Sequence, residues 1–229
     1  MSELPILTRT FQPQAISSSF AAVAWFYDLW AMLTETKAVE RAFMLAQIQD
    51  GMAVLEVAVG TGRLFSQIVA RNPHGRNEGM DLSAAMLARA RKRLQRMHAE
   101  AYKLQPGSAY ELPYEDDSFD LLFNTYMLDL LPEQDFPKVL AEFRRVLKPD
   151  GKLVLVSFGF GTQGFNRLWY WLARVFPALL TNCRPVRISQ TVQQAGFHNL
   201  HVEHISQNTF PSDIVVAWSI ITGVGTVVR

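Results

Sequence analysis

Ala53-Val54-Leu55-Glu56-Val57-Ala58-Val59-Gly60-Thr61-Gly62 decides the fold of this 229-residue chain. A short apolar, β-branched run ends in a tight glycine turn, and Leu64, Phe65, Ile68 and Val69 then follow at helical spacing. The unit is strand, turn, helix. Downstream, a brief strand is expected around Glu78 to Met80, and Asp81-Leu82-Ser83 supplies an N-cap signal for an Ala/Arg-rich helix from Ala84 to about Ala99. Phe119 to Asn124 reads as a further buried strand. A helix from about Gln134 to Leu147 follows, and Lys148-Pro149-Asp150-Gly151 is expected to stop it. Lys152 to Ser157 is the next strand. Strands alternating with helices predict a parallel sheet covered on both faces.

Upstream, Ser17 to Gln49 contains neither Gly nor Pro and reads as one or two helices broken near Thr34 to Thr36. Beyond the Gly159 to Gly164 turn, an aromatic helix is expected over Phe165 to Leu180. A helix near Ser189 to Ala195 and strands around Val202 to Ser206 and Ile214 to Trp218 complete the pattern. No repeat or linker divides the chain, so one α/β domain with an N-terminal helical lid is expected. The divisions fall at 1–50 for the lid, 51–157 for the central sheet and 158–229 for a cap helix and C-terminal hairpin.

The net charge of +1 argues against a protein that coats nucleic acid, which carries a concentrated basic excess, and leaves room for local basic patches. Arg89, Arg91, Lys92, Arg93 and Arg96 wrap around their helix and read as a solvated surface. A single cysteine, Cys183, forms no internal disulfide and points to a reducing, cytoplasmic setting. The N-terminus lacks a signal-peptide pattern, and no apolar run is long enough to span a membrane. His198, His201 and His204 are spaced so that successive side chains on a strand face opposite ways, so no metal site is expected.

In open α/β sheets a ligand binds beyond the carboxyl ends of the strands, where strand order reverses. The first glycine turn is therefore the place to look for one. Phe65 stands where a dinucleotide fingerprint needs its third glycine, and no G-K-[ST] follows, which disfavours NAD, FAD and a P-loop. Glu56, ahead of the turn, would repel a pyrophosphate but suits an ammonium group. Asp81 stands where a carboxylate accepts hydrogen bonds from both ribose hydroxyls, and it is equally placed to cap the next helix.

Four motifs, in order, carry a resemblance: Val54 to Gly62; Gly79-Met80-Asp81-Leu82-Ser83-Ala84-Ala85-Met86-Leu87; Glu111-Leu112-Pro113-Tyr114 with Ser118-Phe119-Asp120; and Arg145 to Leu153. Together they resemble the class I S-adenosylmethionine-dependent methyltransferases, most nearly the branch of ubiquinone/menaquinone-biosynthesis and small-molecule methyltransferases. The resemblance implies a three-layer sandwich with a seven-stranded, mostly parallel Rossmann-like sheet whose last strand is antiparallel. It also implies S-adenosylmethionine as cofactor and a small acceptor. Glu56 and the backbone of Gly60, Thr61 and Gly62 would hold the methionine part, with Thr125 near its amino-acid end; Ala58 is also placed at the cofactor, and Asp81 would hold the ribose. Leu82 and Met86 would flank the adenine, while Ser108 and Ala109 would meet its edge. Tyr27 resembles the tyrosine of a lid helix that closes over the cofactor. Ala58 departs from the glycine of many members, and Ser108 from the aspartate that often receives the adenine amino group.

Tyr27, Asp28, Tyr126 and Asp129 are the candidates for a general base, and none has the paired His or carboxylate that would make a convincing assignment. Asp129 reads equally as a helix-start cap or a solvent contact. Phe165, Leu168, Trp169, Leu172, Val175 and Phe176 form one stripe of the aromatic helix, read as core packing. Tyr170 and Trp171 beside it suggest a hydrophobic or aromatic acceptor and a contact with a membrane surface. The alternatives are a catalytically silent cofactor-binding protein and a phospholipid methyltransferase. A protein or RNA methyltransferase lacks support, because Asn124-Thr125-Tyr126-Met127 stands where an Asn-Pro-Pro-Tyr motif would.

Overall fold

The computed structural model describes Leu7 and residues 28–161, 166–180 and 182–219. Tyr27, the earlier part of the expected N-terminal helices, and Phe165 lie outside the described residues. Strand β1 (Ala53–Val57) pairs in parallel with β2 (Arg76–Asp81) on one side and β4 (Phe119–Thr125) on the other. Beyond these come β3 (Lys103–Pro106) and β5 (Leu147–Phe158), also parallel. The hairpin β6 (His198–Gln207) and β7 (Phe210–Trp218) completes the sheet, with β7 antiparallel to both neighbours. The seven strands run in the order β3-β2-β1-β4-β5-β7-β6, so the direction of winding reverses between β1 and β4.

Helices cover both faces, and this is why β4 and β5 carry consecutive buried apolar residues, Leu121-Leu122-Phe123 and Leu153-Val154-Leu155-Val156. On one face α1 (Thr36–Ala46), α2 (Arg63–Arg71) and α3 (Ala84–Arg96) bury Val54, Phe123 and Val154. On the other α4 (Phe136–Val146) buries Leu55, Leu122 and Leu155. Helix α5 (Asn166–Val175) packs through Trp169 and Leu172 on the first face, and α6 (Ser189–Gln194) places Val192 on the second. Residues 28–34 are helical and are separated from α1 by a break at Glu35, inside the expected window.

Three expectations are corrected. Strand β3 was not foreseen: Lys103-Leu104-Gln105-Pro106 has no apolar run because it forms the sheet edge, where charge and proline are tolerated. Lys148 to Gly151 ends α4 but is not a turn between elements. β5 already begins at Leu147, paired with Phe119, and a register shift absorbs the segment, with Asp150 at φ 67°. The aromatic helix also faces differently from the stripe expected. Trp169, Tyr170, Leu172 and Ala173 turn inward, while Leu168, Trp171, Val175 and Phe176 face solvent.

Candidate active site

The carboxyl ends of β1 and β4 frame a cleft, as the reversal of strand order requires. Glu56, Ala58, Val59, Gly60, Thr61 and Thr125 line it from the sheet side, and Ala31, Glu35, Thr36 and Val39 line it from the N-terminal helices. Five of the residues expected to hold a cofactor are therefore brought to one surface. The backbone explains how the turn forms. Gly60 and Gly62 have φ of 54° and 78°, conformations that favour glycine, and the Gly62 amide donates to the Val59 carbonyl at 2.9 Å. Phe65, in place of a third glycine, is fully buried, and a Cβ on Gly79 would stand 3.1 Å from its ring.

Ala58 adopts φ 65°, so the alanine that stands where many members have glycine carries a real backbone cost. Ala58→Gly is expected to stabilise the protein by about 1 kcal/mol, raising the melting temperature by ~2–4 °C. A thermal melt that is unchanged or lower would contradict this.

The two acids differ in what they already hold. Asp81 Oδ2 accepts the Gly60 amide and Oδ1 the Ser83 amide, both at 2.8 Å, while Ser83 itself caps α3 through the Met86 amide. Asp81 thus braces the glycine turn against the start of α3. Burial raises its carboxyl above the usual range, and the two amides pull it back. Glu56 is 1% exposed, and its Oε2 has no hydrogen-bond partner. Burial, reinforced by the charge of Asp81, holds its carboxyl well above the usual range. A buried acid with an orphaned oxygen facing a cleft suits a cationic ligand that would satisfy both the charge and the lone pair. An ammonium group on a nucleoside-bearing cofactor fits this donor set.

The remaining assignments sit beside this centre. Leu82 is exposed just past β2, Met86 is buried on α3, and Ala109 is buried past β3 next to Ser108, whose hydroxyl accepts the Tyr110 amide. The Gly107 amide donates to the Asp81 carbonyl at 3.2 Å, which draws this loop towards the end of β2. Tyr27 lies outside the described residues. Glu35, at the helix break, was missed by sequence reasoning; only the expected break near Thr34 to Thr36 marked its position.

Neither Tyr126 nor Asp129 lines the cleft. Tyr126 is buried, shares a 2.7 Å hydrogen bond with Ser212, and has its phenol held well above the usual range by burial and then by Glu35. Asp129 is neither a solvent contact nor an exposed cap. It is 0% exposed, its Oδ2 accepts the Phe158 amide at 3.1 Å, and its carbonyl accepts from the buried Arg184 at 3.0 Å. Burial pushes its carboxyl up to about 7, against the pull of the Phe158 amide and Arg184.

Because the folded state keeps the Asp129 proton to higher pH than the unfolded chain, stability falls as pH rises from about 4 through about 7. Asp129→Asn is expected to remove up to one proton of that slope, about 1.4 kcal/mol per pH unit. Melting temperatures from pH 4.5 to 8 would show it. Full activity in this variant would also end the case for Asp129 as a base.

No group of three candidate metal ligands is present among the described residues. His201 pairs with Glu203 and His204 with Asp213, each at 2.7 Å. Aromatic side chains gather beyond β5 and β7. Trp30 and Trp169 meet edge to face at 6.0 Å, both contact Phe210, and Phe158 stacks on Phe210 at 4.7 Å.

Sheet order and the glycine turn define a doubly wound α/β protein with a cleft where such sheets bind ligands. A family model described as a methyltransferase domain matches residues 54–151. A demethylmenaquinone methyltransferase of Lactobacillus johnsonii is 30% identical over 75% of this chain and 72% of its own length. Another, from Listeria monocytogenes, is 36% identical over 72% of this chain and 76% of its own length. Other relatives of that name are matched over little more than half their length. The chain belongs to the class I S-adenosylmethionine-dependent methyltransferases. Among solved structures, the [4+2]-cyclase SpnF superposes with a TM-score of 0.76 at 16% identity, covering 95% of this chain and 99% of that one, a likeness of fold alone.

Proposed function

We infer that the protein transfers a methyl group from S-adenosylmethionine to a small hydrophobic aromatic acceptor, a reduced quinone methylated on a ring carbon. When bound, the cofactor supplies a methyl group on a cationic sulfonium, already activated towards a nucleophile. The chain's own contribution is then alignment, which supplies roughly 7 to 11 kcal/mol in favourable cases. In this reading Glu56 and the Gly60 to Gly62 backbone hold the amino-acid end and Asp81 the ribose. Leu82, Met86, Ser108 and Ala109 surround the adenine, and Thr125 touches the cofactor near its amino-acid end.

The observation that carries the acceptor class is the aromatic group of Trp30, Trp169, Phe158 and Phe210. Phe158 of β5 and Phe210 of the hairpin are buried and back the partly buried Trp30 and Trp169; Trp30 adjoins Ala31 of the cleft lining, and partly open indole faces suit a flat apolar ring. The names of the relatives point to the same chemistry. A labelled-methyl assay with a reduced naphthoquinone, phospholipid vesicles and simple phenols and amines tests it. Label in the quinol supports the reading. Label in phospholipid alone, or cofactor binding without turnover, would replace it with one of the two alternatives.

Peripheral contact with a membrane is part of the same reading, supported by the outward Leu168, Trp171, Val175 and Phe176. No helix among the described residues is long and apolar enough to cross a membrane. Vesicle sedimentation tests the contact, and a protein that stays wholly in the supernatant would count against it. A cytoplasmic setting is supported by the lone Cys183.

A further inference from the structure

One arginine of the basic run on α3 does not behave as a solvated charge. Arg93 turns back towards the glycine turn, where its Nε donates to the Thr61 carbonyl at 3.1 Å and its Nη2 to Asp28 Oδ2 at 2.8 Å. The Thr61 hydroxyl donates to the other Asp28 oxygen at 2.6 Å. Arg63 completes the set, with Nη1 donating to the Asp28 carbonyl at 3.1 Å and Nη2 to Thr36 Oγ1 at 3.2 Å. Both carboxylate oxygens and the carbonyl of Asp28 are engaged.

At its far end the same helix, residues 28–34, is held by the hairpin. Gln207 Nε2 donates to the Met32 carbonyl at 2.7 Å and Asn208 Nδ2 to the Leu33 carbonyl at 2.8 Å. Ala31, from within the helix, and Glu35, at its end, line the cleft. The helix is therefore a strap fastened at two points. The hairpin anchor is neutral, whereas the Asp28 anchor is charged and lands on Thr61, within the turn itself.

We propose that Asp28 and Arg93 are positioning residues that latch this helix to the glycine turn and so couple its closure to cofactor binding. The proposal rests on the assignment of the glycine turn to the cofactor. A ligand that orders the Gly60 to Gly62 backbone also orders the Thr61 hydroxyl and carbonyl, the two groups that hold Asp28 and Arg93. By linkage, a closed helix presents Thr61 already in place for the ligand. The ion pair is half exposed, 35% for Arg93 and 40% for Asp28, so it adds little to global stability. Its effect belongs in binding.

The test is calorimetry with S-adenosylhomocysteine on the full chain, on Asp28→Asn, Arg93→Gln and the double variant. Each single change is expected to weaken binding about 5- to 10-fold, with the double no weaker than the worse single. Melting temperatures should stay within about 3 °C of the parent. Arg93→Lys, which keeps the charge but not both hydrogen bonds, should recover part of the affinity. The KM for S-adenosylmethionine should rise more than kcat falls. Hydrogen exchange over residues 28–34 should slow with S-adenosylhomocysteine in the parent but not in Asp28→Asn. Equal affinity in all four proteins, additive losses, or losses that track falling stability would overturn the latch. Absence of binding by the parent protein would instead overturn the cofactor assignment beneath it.

Discussion

Glu56→Gln is expected to weaken S-adenosylmethionine binding roughly 100-fold, about 2.7 kcal/mol, while raising the melting temperature of the cofactor-free protein. Both effects come from one buried carboxyl. In the free protein Glu56 has an orphaned oxygen and faces the charge of Asp81, and its proton is held to a pH well above the usual range. A carboxyl whose folded-state affinity for its proton exceeds that of the unfolded chain loses stability as pH rises above its ordinary value of 4.5. Glutamine carries no charge and removes that loss at neutral pH, with ~2–4 °C gained for each kcal/mol relieved. It also removes the anion that would answer an ammonium group. Calorimetry and thermal melts of the two proteins at pH 7.5 check both halves. Retained affinity would take Glu56 out of the site.

Gly62→Ala is expected to cost about 3–5 kcal/mol, much of the stability of an ordinary domain. The residue sits at φ 78°, and a Cβ there would stand 2.8 Å from Ala90 Cβ and 2.9 Å from Ala90 Cα on α3. Part of the penalty is the left-handed backbone and part is the displacement of a helix packed at close range. Because α3 also carries Arg93, and Ser83 at its N-terminus, the displacement reaches the latch and the Asp81 brace together. Gly60→Ala provides the comparison. Its φ is 54°, but nothing lies within 4 Å of the added carbon, so only the backbone part should appear. Denaturant unfolding of the two variants separates the terms, and equal losses would refute the steric one.

Much of this site was legible in the sequence because its parts obey local rules. A β-branched run ending in Gly60-Thr61-Gly62 specifies a turn through backbone sterics alone. Glu56 and Asp81 are placed by their distance from the ends of β1 and β2. The neighbours that give them chemistry were less visible. Glu35 belongs to no motif, and Asp28 was read as a candidate base when both its carboxylate oxygens are committed to Thr61 and Arg93. Strand β3 escaped notice because a polar edge strand lacks the apolar pattern by which strands are recognised.

The sequence by itself determined the glycine turn, the two acids and the order of the elements other than β3, since these depend on dihedral preference, side-chain period and spacing along the chain. Only the tertiary structure decided which surfaces those elements present. It turned Tyr170 and Ala173 inward and Trp171 and Phe176 outward, and it put Asp129 in the interior. It also drew Arg93 out of its basic run to join α3, the turn and the N-terminal helix. A helical period says that a helix has faces, but which face is buried depends on the shape and charge of whatever packs against it, and that partner is distant in the chain.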